Sequence, residues 1–214
     1  MLQNDPELFE LSMSEKTQPL MDLVKKHCEE NIKPIQQEYS ALQNEKEDRW
    51  SWHPRQIELM EGAKEKAREL GLWNFFLPDP DGNIGDGLTN LDYTYVANEI
   101  GKFPLASESM NCSAPDTGNM EVLERVGTEE QKKQWLEPLL NGEIRSAYAM
   151  TEPNLASSDA KNISTSAVLD GDEWVINGEK FYISGAGDPR CKIMITMVKT
   201  SPDAHPSKQQ SQIL

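Results

Sequence analysis

Residues 147–165, AYAMTEPNLASSDAKNIST, join a short apolar run to a Thr-Glu-Pro corner, two adjacent serines and a string of small polar residues. The run SAYAM, residues 146–150, reads as a strand. Pro153 must turn the chain, because its fixed φ and missing N–H exclude it from a continuing ladder. Small residues beyond the turn let the backbone approach a bulky ligand closely. Ser157 and Ser158 offer hydroxyl and backbone donors to an anionic group without adding cations. The same residues also read as a plain loop closed by Ser and Asp turns.

Downstream, STSAVL and WVI flank Asp170-Gly171, and WVI and EKFYIS flank Asn177-Gly178, which are two hairpin signals. KIMITMVK, residues 192–199, is a further strand with Ile193, Ile195 and Met197 on one face. The tail TSPDAHPSKQQSQIL shows no period. About four antiparallel strands are expected, with an edge left open.

Upstream the period is helical. Leu20, Leu23, Val24 and Cys28 share a face up to Pro34, and residues 35–43 continue after a kink. Pro54 opens a helix with Ile57, Met60, Ala63, Ala67 and Leu70 along one side, stopped by Gly71. GLWNFFLPDPDGNIGDGL, residues 71–88, reads as a long loop whose Asp79, Asp81 and Asp86 would repel a phosphate. Thr89 with Asp92 starts another helix that carries Tyr93, Val96, Ala97 and Ile100. LASESMNCSA is helical up to a break at PDTG, and Met120, Leu123 and Val126 follow on a short helix. Thr128 with Gln131 forms a capping box ahead of Trp135, Leu136 and Leu139. The expected fold class is α+β multidomain: an α-helical domain over residues 1–145, then an incomplete antiparallel β-barrel-like domain over residues 146–214.

With 36 acidic and 21 basic residues the chain carries a net charge of −15 and would repel nucleic acid and anionic lipid. Cys28, Cys112 and Cys191 are scattered and odd in number, which fits an intracellular reducing compartment better than a disulfide framework. His27, His53 and His205 are equally dispersed, and no metal site is expected. No apolar run approaches the roughly 20 residues of a membrane span, so no membrane insertion is expected. The N-terminal MLQNDPELFE has neither a secretory nor an organelle-import pattern, leaving cytoplasm, mitochondrion and peroxisome open.

AYAMTEPNLASSDAKNIST together with INGEKFYISGAG resembles the flavin-binding signature of the acyl-CoA dehydrogenase family. GTEEQKKQWLEPLLNGEIRSAYAMTEP looks like that family's last N-terminal helix entering its β domain, and NCSAPDTGNMEVL is similar to the branch of family members ten and eleven. The resemblance implies three domains, FAD as cofactor, and α,β-dehydrogenation of a fatty acyl-CoA, expected here to be of medium to long chain. It places Tyr148, Met150 and Thr151 along the flavin, with Thr151 bonding the polar edge of the ring. Ser157 and Ser158 would lie at the pyrophosphate, Ser158 also near the CoA moiety of the substrate. Tyr182, Ile183 and Ser184 would complete the cofactor site, Tyr182 stacking on the ring and Ser184 bonding near its reactive nitrogen. Glu152 is given a structural role at the corner. The catalytic base and the four-helix third domain are expected beyond Leu214, so no catalytic residue is assigned within the chain. An electron-transfer flavoprotein as acceptor and homo-oligomerisation of a full-length protein are also implied. The alternative expectation is a non-catalytic module that binds flavin or acyl-CoA, or pairs with full-length subunits.

Overall fold

The structure, a computed structural model, describes residues 11–46, 48–77 and 87–214. The chain divides into two compact units, one ending at Ser113 and the other spanning Ala114–Leu214. By packing, this division falls earlier than the change in element type near residue 145. The cause is that the helix beginning at Asp116 bonds directly to the first strand, as described below.

In the first unit, α1 (Gln18–His27) and α2 (Lys33–Ala41) are joined without interruption by a π-helical segment, Cys28–Ile32. The expected kink before Pro34 is thus absorbed as one widened turn, in which the Lys33 N–H donates to the Cys28 carbonyl. Widening relieves the clash between a proline ring and the carbonyl one turn back. The same device recurs with the same spacing at Lys132–Leu136, ahead of Pro138.

Helix α3 (Pro54–Glu69) begins as expected and stops at Gly71, whose φ of +72° suits a left-handed helix end. Its buried face is Gln56, Leu59, Met60, Ala63, Lys64 and Ala67; Ile57 faces solvent instead. Tyr39, Leu59 and Met60 pack with Ile35, Leu42, Trp52 and Leu105 to form one core cluster. Leu72, Phe75, Phe76 and Leu77 are also buried, so the start of the expected loop contributes to the core. Its Asp79, Asp81 and Asp86, read as repelling a phosphate, lie outside the described residues. Helix α4 (Asn90–Ile100) is capped by Thr89 as expected, and Asp92 accepts the Ser14 N–H at 2.7 Å. Only four residues, Ala106–Ser109, form α5, and His27 Nε2 lies 2.9 Å from Ser109 Oγ.

In the second unit, α6 (Asp116–Val126) starts inside the PDTG sequence that reads as a break, and Val126 on it is exposed. Helices α7 (Glu129–Gln131) and α8 (Glu137–Leu140) flank the second π-helical segment and bury Leu136 and Leu139. Both bonds of the Thr128–Gln131 capping box are present, at 2.9 and 3.2 Å. Thr128→Ala is expected to lower stability by about 1 kcal/mol, read as a shift in the denaturant midpoint at unchanged m-value.

The sheet of this unit is an incomplete barrel-like sheet, mixed rather than wholly antiparallel. Strands β1 (Arg145–Ala149), β2 (Ser166–Asp170), β3 (Glu173–Asn177), β4 (Cys191–Lys199) and β5 (Gln210–Ile213) compose it. Thr196 pairs with both Ala149 and Ile213, and Lys199 with both Ser166 and Gln210. It follows that β1 and then β2, both parallel to β4, share one edge of that strand while β5 takes the other. Strand β5 has no apolar alternation and is held as a strand by its pairing with β4. The β2–β3 hairpin forms about Gly171 as expected.

The second expected hairpin does not form: no strand is assigned to residues 178–190. Gly178 has φ +154°, and a Cβ there would lie 2.3 Å from Thr165 Oγ1, so the chain runs on beside Thr165, one position beyond the Ser166–Asn177 pair, instead of turning at Asn177-Gly178. Tyr182, at φ +54°, breaks any further ladder.

Candidate functional site

The site grows out of the place where β4 changes partner along one edge. Strand β1 ends at Ala149, the chain leaves through residues 150–165, and β2 rejoins at Ser166. Such a loop would leave polar backbone exposed in the wall of the sheet unless something gathers it.

Glu152 gathers it. Its carboxylate is buried; Oε2 accepts the Ser164 N–H at 2.8 Å and the Ser164 hydroxyl at 2.6 Å. Oε1 accepts the Thr165 N–H and the Lys180 ammonium, both at 2.9 Å. Burial by itself would raise the pKa of this carboxyl, but the bonds from Ser164, Thr165 and Lys180 outweigh it and hold the group well below the usual carboxylate range. A carboxylate so fully engaged is no proton acceptor at neutral pH. The structural role expected for Glu152 is therefore the one its surroundings support.

The 180–185 segment lies against this corner. Lys180 Nζ donates to the Met150 carbonyl at 3.0 Å, and the Phe181 N–H donates to the Thr151 carbonyl at 2.8 Å. At the far end Gly185, with φ +84°, comes so close that an added Cβ would sit 3.1 Å from the Ser146 carbonyl. The segment is therefore pinned to the β1 side at both ends, and the two sequence motifs are neighbours in space.

The individual residues divide into presented and internal groups. Thr151, Ser158, Tyr182 and Ser184 are exposed, Tyr182 at 82%, while Met150 and Ile183 are half-buried. The Tyr182 ring leans on Phe181 with centroids 4.0 Å apart. Tyr148 is half-buried, and its hydroxyl accepts from Gln212 Nε2 at 3.0 Å. Ser157 differs from its expected place at a pyrophosphate. It is buried, its hydroxyl takes the Glu152 N–H at 2.8 Å, and its own N–H donates to the Leu155 carbonyl. Its donors hold the corner together, which leaves Ser158 as the exposed serine of the pair.

Sequence reading did not foresee Lys180, Ser164 and Thr165 as members of this site. It also missed the support beneath β1. Asp116 Oδ1 accepts the Ser146 N–H at 2.7 Å and its hydroxyl at 2.6 Å, while Arg145 Nε lies 2.6 Å from Oδ2. Asn119 Nδ2 donates to Ser146 Oγ and the Ala147 carbonyl at 2.8 and 3.1 Å. The available signal was a pair of polar residues, three apart, on the buried face of an otherwise amphipathic helix.

Residues 14–143 match the acyl-CoA dehydrogenase N-terminal domain, and residues 147–214 match the acyl-CoA dehydrogenase middle domain. The chain belongs to the acyl-CoA dehydrogenase family. Acyl-CoA dehydrogenase family member 10 of Mus musculus is 48% identical to it over 205 residues, 94% of this chain and 19% of that protein. Family member 11 of Gallus gallus is 47% identical over 205 residues, again 94% of this chain and 25% of the relative. The branch suggested by NCSAPDTGNMEVL is thus the one to which these relatives belong, and the chain spans a quarter or less of either.

Among solved structures, a putative acyl-CoA dehydrogenase from Mycobacterium abscessus superposes with a TM-score of 0.85 at 42% identity, covering 94% of this chain and 50% of that one. A glutaryl-CoA dehydrogenase from Mycobacterium smegmatis, in complex with FADH2, shares the fold at TM-score 0.63 and 23% identity, covering 91% and 45%. No helix among the described residues is long and apolar enough to cross a membrane, and among them no cluster of metal-ligating side chains occurs.

Proposed function

We propose that this family member provides the flavin-holding corner of an FAD-dependent acyl-CoA dehydrogenase. The observation that carries the reading is the joining of the Thr-Glu-Pro corner to the 180–185 segment through the Phe181–Thr151 and Lys180–Met150 bonds. The side chains that this junction leaves exposed, Thr151, Tyr182 and Ser184, are the ones the family resemblance assigns to the flavin ring. When bound, FAD supplies a two-electron acceptor for α,β-dehydrogenation of an acyl thioester.

The chain's own residues bind and orient. Tyr182 and Phe181 present an aromatic surface for a flat ring. Thr151 and Ser184 offer hydroxyls to its polar edge, and exposed Ser158 can donate to a phosphate or to CoA. Ser157 is left out of the proposed contacts and braces the corner. Glu152 is excluded as the base by its saturated hydrogen bonding, and none of the other described residues is assigned that role. The proposal extends to a medium- to long-chain fatty acyl-CoA as substrate, an electron-transfer flavoprotein as acceptor and homo-oligomeric assembly of the longer protein. These extensions rest on the family branch.

The test is spectroscopic. Purified chain incubated with FAD and desalted should retain visible flavin absorbance and quench its fluorescence; loss of all flavin on desalting contradicts the reading. A second reading, a non-catalytic interaction module, is favoured by the exposed Val168, Leu169, Trp174, Val175 and Ile176 of the β2–β3 hairpin. Turnover of an acyl-CoA with an artificial electron acceptor by this chain would eliminate it.

A further inference from the structure

Two of the attachments between the halves of the candidate cleft are made by consecutive residues. Phe181 contributes a main-chain bond to the Thr151 carbonyl. Lys180 contributes a charged one: its ammonium reaches the Met150 carbonyl at 3.0 Å and Glu152 Oε1 at 2.9 Å, with side-chain exposures of 11% for Lys180 and 3% for Glu152. A buried ammonium is tolerated only with its charge matched and its N–H groups engaged, so the place of Lys180 is fixed by both acceptors together.

The Glu152 carboxylate is fixed in turn. Three other bonds tie it to Ser164 and Thr165, at the start of β2. One ion pair therefore sets three pieces of backbone relative to one another: residues 150–152, 164–165 and 180–181. The residues that would touch a flavin stand immediately beside these anchor points. Thr151 lies between Met150 and Glu152, and Tyr182 lies two residues after Lys180.

We propose that the Glu152–Lys180 pair is a positioning device for the flavin ring: it sets the distance between Thr151 and the Tyr182–Ser184 segment without contacting the cofactor. The proposal rests on the flavin reading above. Stability alone does not require an ion pair here, because a well-packed apolar pair of similar volume often holds a fold as well or better. An apolar pair could not supply the bond from Lys180 to the Met150 carbonyl, which fixes the peptide leading into Thr151. Displacements of about 1 Å at a residue that orients a reacting group can cost on the order of a hundredfold in function.

The experiment compares the 214-residue chain with Lys180→Met, Lys180→Arg and Glu152→Gln. Each is measured for unfolding midpoint, for FAD dissociation constant and visible spectrum at a temperature where it is folded, and for amide hydrogen exchange at Phe181. Lys180→Met should remain folded yet bind FAD roughly tenfold or more weakly, with a changed visible band and faster exchange at Phe181. Lys180→Arg, which keeps charge and donors, should recover most of the affinity, and Glu152→Gln should fall between the two.

A pair that merely stabilises the fold would move the midpoint and leave the dissociation constant and spectrum of the folded protein unchanged. That result in Lys180→Met, or in Glu152→Gln should Lys180→Met not fold, overturns the positioning role while the flavin reading stands. Failure of the wild-type chain to take up FAD overturns the flavin reading and the positioning role with it.

Discussion

Asp116→Ala is expected to destabilise the unit spanning Ala114–Leu214 by about 2–5 kcal/mol, the cost of leaving two buried donors without their acceptor and a mostly buried guanidinium without its carboxylate. Asp116 is buried, and its Oδ1 is the acceptor for both the amide and the hydroxyl of Ser146. Removing it leaves those two buried donors without that partner and takes the adjacent carboxylate from Arg145, whose side chain is 13% exposed. The Arg145–Asp116 approach is a charge contact rather than an aligned hydrogen bond, so most of the loss should come from Ser146. Asp116→Asn, which keeps an acceptor oxygen, should lose less. The measurement is hydrogen-exchange protection of the β1 and β4 amides under native conditions. Protection unchanged to within about 1 kcal/mol in Asp116→Ala would contradict this account of how β1 is seated.

The second large effect depends on pH. His27 is fully buried in the first unit, and desolvation lowers its pKa from 6.5 to about 4. Between these values the unfolded chain binds a proton that the folded one does not, so stability falls as pH drops from about 6.5 toward 4. The contribution present above pH 6.5 and lost by pH 4 is on the order of 3 kcal/mol. The neutral ring is the one its partners fit. Asn31 Nδ2 lies 3.3 Å from Nδ1, and the Ser109 hydroxyl, which donates to the Ala106 carbonyl, lies 2.9 Å from Nε2. His27→Gln keeps a polar group near Ser109 and removes the titration. The difference in unfolding free energy between wild type and His27→Gln should shrink over this window, and a difference independent of pH would contradict a neutral buried imidazole.

What the sequence made legible follows from how local each signal is. The start of α3 at Pro54, the Thr89 and Thr128 caps and the Gly171 turn depend on residues within a few positions of one another, and all were readable. The strand expected over residues 179–184 was not. Its alternation is real, but Lys180 is drawn to Glu152, a long-range contact that no local pattern records. Strand β5 and the parallel pairing of β1 with β4 escaped for the same reason, since pairing partners far apart in sequence define them. Proline two residues after each π-helical segment reads as a break in any sequence, and only the packed helix shows that one widened turn accommodates it.

The candidate site follows the same rule. Thr151, Ser158, Tyr182 and Ser184 are named by the order of a motif, and the fold leaves all four exposed. Ser157 was assigned outward by its neighbour's chemistry, whereas the fold uses it to take the Glu152 amide. Lys180 carried no motif-level signal of its own, and its importance lies in a contact with residues about thirty positions earlier.

The central claim is that the Thr-Glu-Pro corner and the 180–184 segment form one flavin-binding cleft. Titration of isotopically labelled chain with FAD, followed by amide chemical shifts, tests it most directly. The amides of Thr151, Ser158, Tyr182 and Ser184 should shift together, with one common dissociation constant. Flavin binding that leaves these four unmoved, or that perturbs the two segments with separate constants, would contradict it.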